Sequence, residues 1–145
     1  MTPADRFIGR WELIPEMSLY AVGEPPAAGL YVIEEPVPGT MQFRVTWRMH
    51  GDQEDRSTGF AGPSDGSRTG LPVTVAGAPD ALTITRVDER TLDSAALRGE
   101  ERVAYARRVV STDGALMAVV QEAVTPSGDR LRNFQVYRRA GISAG

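Results

Sequence analysis

The sequence predicts an all-β protein: one closed, antiparallel, up-and-down β-barrel of about eight to ten strands, formed by residues 1–145 as a single domain. Three observations predict it. Short alternating or β-rich segments recur along the chain, separated by Gly, Pro and Asp. Convincing helical periodicity is scarce. A meander of many short strands must also hide its edges, and closing the sheet on itself does so.

Each element follows from its residues. Phe7 to Ile14 reads as the first strand, stopped by Pro15. Residues 15–28 carry three prolines and small-residue pairs, and read as an irregular crossing. Leu30 to Ile33 is the second strand, closed by Pro36 to Gly39. Met41 to Met49 is the clearest. Met41, Phe43, Val45, Trp47 and Met49 take one face, and Gln42, Arg44, Thr46 and Arg48 the other. Residues 50–70 are polar and Gly-rich, with a weak strand at Thr58 to Ala61 and a turn at Pro63 to Gly66. Pro72 to Val75 is a further short candidate. Leu82 to Val87, Thr91 to Arg98, Glu101 to Ser111, Ala115 to Val124 and Leu131 to Arg138 complete the set. Thr112-Asp113-Gly114 and Thr125-Pro126-Ser127-Gly128-Asp129 supply turns. Ser94 to Arg108 is rich in helix formers, but Gly99 in its middle costs a helix about 1 kcal/mol relative to Ala. Gly99-Glu100 is therefore read as a hairpin turn.

Composition excludes several functions. All sixteen basic residues are arginine against nineteen acids, a net charge of −3, which predicts no nucleic-acid face. The absence of Cys removes thiolate catalysis and Cys-ligated metal, and the absence of Lys removes Schiff-base chemistry. His50 is the single histidine, so one chain cannot build a multi-His metal site. A Ser-His-Asp triad would have to use His50, and no Gly-x-Ser-x-Gly is present. No signal peptide or membrane-spanning run is evident, which predicts a cytoplasmic protein with no membrane insertion.

Gly9-Arg10-Trp11 lies on the opening strand. Pro15-Glu16-Met17-Ser18 with Gly23-Glu24-Pro25-Pro26 follows, then Gly70-Leu71-Pro72-Val73, Gly77-Ala78-Pro79-Asp80 and Arg86 to Thr91. Arg108 to Gly114 and Asn133 to Arg139 come last. In this order the motifs resemble the calycin superfamily of lipocalins and fatty-acid-binding-like barrels, and are similar to small bacterial lipocalin-like proteins. The resemblance implies a lipocalin-like barrel whose interior holds a small, largely apolar molecule. It also implies that Trp11 plugs the closed end, stacked under Arg138 or Arg139. Fatty-acid-binding proteins carry an Arg-x-Tyr on the closing strand that receives a carboxylate. Tyr137 matches the Tyr, but Gln135 stands at the Arg position and lacks its charge.

Candidate ligand-binding residues follow. Phe43, Val45, Trp47 and Met49 form a stripe that lines a pocket or fills a core. Gln135 and Tyr137 share one face of the last strand: inward they anchor a polar head group, outward they leave Phe134 and Val136 inside. Both readings stand. Tyr105 and Arg107 pose the same question. An inward Arg needs a bound anion or an interior carboxylate such as Glu122; otherwise Arg107 and Arg108 straddle the sheet with at least one solvated. His50, Asp52, Glu54 and Asp55 read as a solvated loop without calcium-loop spacing.

The function expected is non-catalytic binding of a small apolar or amphipathic molecule, with no cofactor, no metal and no catalytic residue assigned. Two alternatives remain: a small-barrel enzyme of isomerase or cyclase type acting on a hydrophobic metabolite, or an interaction module. A homodimer is open.

Overall fold

The computed structural model describes residues 6–72, 76–125 and 127–140. Eleven strands are present among the described residues: β1 Gly9–Leu13, β2 Leu19–Tyr20, β3 Ala28–Val37, β4 Thr40–Arg48, β5 Arg56–Pro63 and β6 Asp65–Gly70, then β7 Ala81–Asp88, β8 Thr91–Arg98, β9 Glu101–Val110, β10 Leu116–Val124 and β11 Arg130–Arg139. Their ladder runs β5-β4-β3-β1-β11-β10-β9-β8-β7-β6, with β2 paired to β11 off this path. All pairings are antiparallel. The protein is thus a nearly closed up-and-down barrel of ten ladder strands plus a two-residue appendage.

The first and last strands meet, with Trp11 opposite Arg139 and Leu13 opposite Tyr137. The seam lies in mid-chain instead, between β5 and β6, the two ends of the ladder. It is pinned near the turn that joins them. The Ser64 N–H donates to the Gly39 carbonyl at 2.9 Å, and the Ser64 carbonyl accepts from the Arg86 N–H at 3.0 Å. Gly62 permits close approach, because a Cβ there would lie 2.8 Å from Thr69 Oγ1 and 3.4 Å from Leu82 Cδ1.

The alternation of β4 is realised. Met41 and Phe43 are buried, while Arg44 and Arg48 face solvent. The helix-forming stretch Ser94 to Arg108 is a hairpin, with Gly99 in the turn at φ +61°. There the ladder bonds and the buried face of β9 outweigh a propensity of a few tenths of a kcal/mol per residue, ~0.5 or less. β6 is the strand the pattern hides. It has no large apolar residue to alternate, yet Arg68, Thr69 and Gly70 pair with β7 through their backbone. In the irregular crossing, Pro15–Met17 forms a 3-10 turn that leads into β2. The candidate strand at Pro72 to Val75 lies largely outside the described residues.

One end of the barrel is filled. Phe7, Trp11, Ile33, Met41, Leu92 and Met117 are fully buried. Trp11 Nε1 donates to the Phe7 carbonyl at 3.0 Å. The Arg139 guanidinium sits 4.2 Å above the Trp11 ring and donates to the carbonyls of Gly114 and Ile8 at 2.9 and 2.8 Å. Together these contacts tie the plug to the first strand, the last strand and the β9–β10 turn.

Candidate functional site

The other half of the barrel is hollow. A cavity of about 510 Å³ opens to solvent, within the range typical of small-molecule sites. One wall comes from Tyr31, Val45, Thr58, Gly59 and Phe60 of β3 to β5. Leu71 and Leu82 border the seam side, and Leu131 and Asn133 the β11 side. The wall across the barrel, on β8 to β10, exposes Ser94, Ala96, Ala104, Ala106 and Ala123. These residues face inward because they fall in step with buried Leu92, Val110 and Val119 on their strands.

Arg108 stands in this wall and is 3% exposed. Its Nε donates to the Tyr31 hydroxyl at 2.8 Å, and its Nη1 to Ser94 Oγ at 3.0 Å. Its guanidinium carbon lies 4.8 Å from the Phe43 ring centre, 5.6 Å from Tyr31 and 5.8 Å from Phe60. The aromatic faces favour a cation there. Nη2 has no hydrogen-bond partner among the described residues. Among the described residues no carboxylate lies within ion-pair distance of Arg108, although its charge helps to hold the Asp93 carboxyl low.

The acids nearby are committed elsewhere. Asp93, on the outer face of β8, accepts from Arg107 Nε and Nη2 at 2.8 Å each and from the Tyr105 hydroxyl at 2.9 Å. Burial alone would raise the Asp93 carboxyl, but the bonds from Arg107 and Tyr105 together overcome it and hold it below its usual range. Glu122 points outward to Arg130 and Arg132 at 2.7 and 3.0 Å, and those bonds hold it low as well. The interior carboxylate considered for an inward arginine is therefore spent on the outside.

The sequence-predicted residues divide. Val45 lines the cavity directly. Tyr105 borders it through its strand, but its hydroxyl serves Asp93 on the outer face. Phe43 lies behind the wall, stacked on Phe60 at 4.7 Å and 22°. Trp47 is half-buried toward the strand end and Met49 lies past it, its N–H bonded to Asp52; neither borders the hollow. Gln135 and Tyr137 point inward and are buried, while Phe134 is partly exposed. Val136 is buried on the opposite face because Ile14 and Ser18 cover it, through bonds of 2.8 and 3.1 Å to its carbonyl and N–H. Val136 is thus covered locally on an otherwise exposed outer face, which is why the pattern of the strand pointed both ways.

Gln135 is fully occupied. Its Oε1 accepts from the Tyr137 hydroxyl at 2.9 Å, and its Nε2 donates to the Tyr20 hydroxyl and to Gln121 Oε1, both at 2.8 Å. Burial pushes the Tyr137 hydroxyl up, away from neutrality. Sequence reasoning missed Arg108 and Tyr31 as a pair. Parity showed that Arg107 and Arg108 face opposite ways, but Arg108 falls in step with Ala104, Ala106 and Val110 and Arg107 with Tyr105 and Val109, so the strand's own pattern did not say which faces inward. His50 is a solvent-exposed loop residue whose Nε2 lies 3.9 Å from Glu24. No cluster of metal-ligating side chains occurs among the described residues. No helix among them is long and apolar enough to cross a membrane.

No family model matches the chain, and no curated protein matches it significantly. Among solved structures it is similar to the siderocalin Ex-FABP, a protein described as functioning through dual ligand specificities. The likeness covers 96% of this chain and 78% of that one, with a TM-score of 0.51 and 8% identity. At that identity it establishes the fold: this chain has a calycin-like barrel.

Proposed function

We propose that the protein binds, without chemically altering it, a small amphipathic molecule whose apolar body fills the cavity and whose acidic group meets Arg108. The observation that carries this is Arg108 itself, buried, with no carboxylate in ion-pair distance among the described residues and with Nη2 unengaged in the wall of the hollow. Burying an unpaired charge is costly, so a site that keeps one is suited to a ligand of opposite sign. The apolar walls add about 25 cal/mol for each Å² of apolar ligand surface removed from water. The similar siderocalin fold, described for dual ligand specificities, supports a binding role for the hollow.

The groups at hand favour binding over catalysis. A proton-transfer site needs a group poised near working pH. Glu122, the acid at the cavity border, is held low on the outer face, and burial drives Tyr137 in the opposite direction.

Native mass spectrometry of freshly purified protein is the first test, followed by titration with anilinonaphthalene sulfonate, an apolar anion. The expected result is a retained mass or a saturable one-to-one fluorescence rise that Arg108→Met weakens. A protein that retains nothing and binds neither this probe nor a neutral apolar dye overturns the reading.

A further inference from the structure

The wall across from the aromatic cluster has an unusual shape for a barrel interior. Ala96 stands opposite Ala104 on β8 and β9, and Ala104 opposite Ala123 on β9 and β10. Ala106 lies opposite Ser94 on one side and Gln121 on the other. The four alanines, which end at Cβ on three neighbouring strands, leave a low plane bordered by Ser94 and Gln121. The hollow exists because of them, since larger residues would fill it as they fill the opposite end. Arg108 stands at the margin of this plane, two residues along β9 from Ala106, and supplies an independent sign of a ligand: a nine-tenths-buried cation with an unengaged donor.

From this juxtaposition we propose that the ligand is a flat, conjugated ring system bearing one acidic group, laid against the alanine plane with its anion at Arg108. The inference rests on the binding role proposed above and names the class of molecule. A rigid plate touches a flat wall over its whole face. A saturated chain meets the same wall along a line and must give up its rotamers to stay there, at a cost for each bond ordered. The aromatic side chains across the cavity, Tyr31 and Phe60, suit the second face of a plate through offset or edge contacts. The guanidinium matches the two oxygens of a carboxylate or sulfonate.

Calorimetric titration with anthracene-carboxylate, its methyl ester and tetradecanoate tests the proposal. The two acids have similar carbon counts and the same head group but differ in shape. The aromatic acid is expected to bind at least about tenfold tighter than the alkanoate. Ala104→Leu, which puts a ridge on the plane, is expected to erase that preference. Ala96→Val is a smaller ridge that keeps the test open if the first variant folds poorly, as judged by its urea midpoint. Equal or tighter binding of tetradecanoate overturns the planar-ligand proposal and leaves the binding role standing. Binding of the ester as tightly as the acid overturns the part assigned to Arg108. Failure of all three to bind overturns the cavity's binding role, and this proposal with it.

Discussion

Arg107 and Arg108 are neighbours in sequence with opposite surroundings: Arg107 holds Asp93 at 2.8 Å on the outside of the barrel, and Arg108 is buried inside it with no carboxylate in ion-pair distance among the described residues. Period-two geometry makes the difference, because adjacent strand residues face opposite ways. One arginine is a partly exposed ion pair of modest value. The other is a charge held in an apolar interior by a tyrosine, a serine and aromatic rings.

That contrast yields the first prediction. Replacing a buried charge by an apolar side chain of similar reach is often neutral or stabilising. Arg108→Met removes the charge but leaves the Tyr31 and Ser94 hydroxyls short of a donor, about 1 kcal/mol each. Unfolding stability of the ligand-free variant is expected to stay within about 2 kcal/mol of the parent. Affinity for an anionic probe is expected to fall about 10- to 100-fold, since a hydrogen bond to a charged group is worth ~1.5–3 kcal/mol. Urea melts and probe titrations read the two effects separately. A large loss of stability with unchanged affinity would make Arg108 a structural strut.

Gln135 provides the complementary test. Its amide serves Tyr137, Tyr20 and Gln121, which lie on two other strands and its own. Gln135→Leu strands those partners, each buried polar group left unsatisfied costing ~1–3 kcal/mol. A net destabilisation of about 2–4 kcal/mol is expected, with probe affinity within about threefold of the parent. A drop in affinity without loss of stability would restore Gln135 as the ligand anchor and displace Arg108 from that role.

How far the site was legible follows from these two residues. The barrel could be read because β4 alternates cleanly and because Asp113-Gly114 and Gly99 punctuate the hairpins. β6 could not, because a strand at a seam buries little and needs only its backbone to pair. Gln135 and Tyr137 were found as inward candidates, but their bonds to Tyr20 and Gln121 join positions far apart in sequence, which no local pattern records. Arg108 was hidden for a different reason. Both parities of β9 carry apolar residues and an arginine, so only the partner strands decide which arginine goes inside.

The seam makes a third prediction. Gly62 has no room for a side chain, since Thr69 Oγ1 would lie 2.8 Å from its Cβ. Gly62→Val forces β5 away from β6 and β7 and is expected to cost about 1–3 kcal/mol, the usual scale for overpacking. Amide hydrogen exchange should quicken in β5 and β6 and remain slow in β9 to β11. Uniform acceleration across all strands would mean that the seam is not a separate weak line.

Acid sensitivity gives the last prediction. Asp93 has a folded pKa below its ordinary value, against burial, because Arg107 and Tyr105 bond the charged form. For a depressed carboxyl the unfolded state binds the proton first, so stability falls as pH falls. The contribution is fully present above the ordinary carboxylate value of about 4 and is lost as pH drops through the lower folded value. Asp93→Asn cannot take up that proton. Its urea midpoint is expected to sit below the parent's at pH 7 and to converge on it by about pH 2–3. Other carboxyls held low, such as Glu122 and Asp113, keep titrating in both proteins, so both still weaken in acid. A gap between the two that stays constant from neutral to acid pH would show that Asp93 contributes through packing and not through its charge.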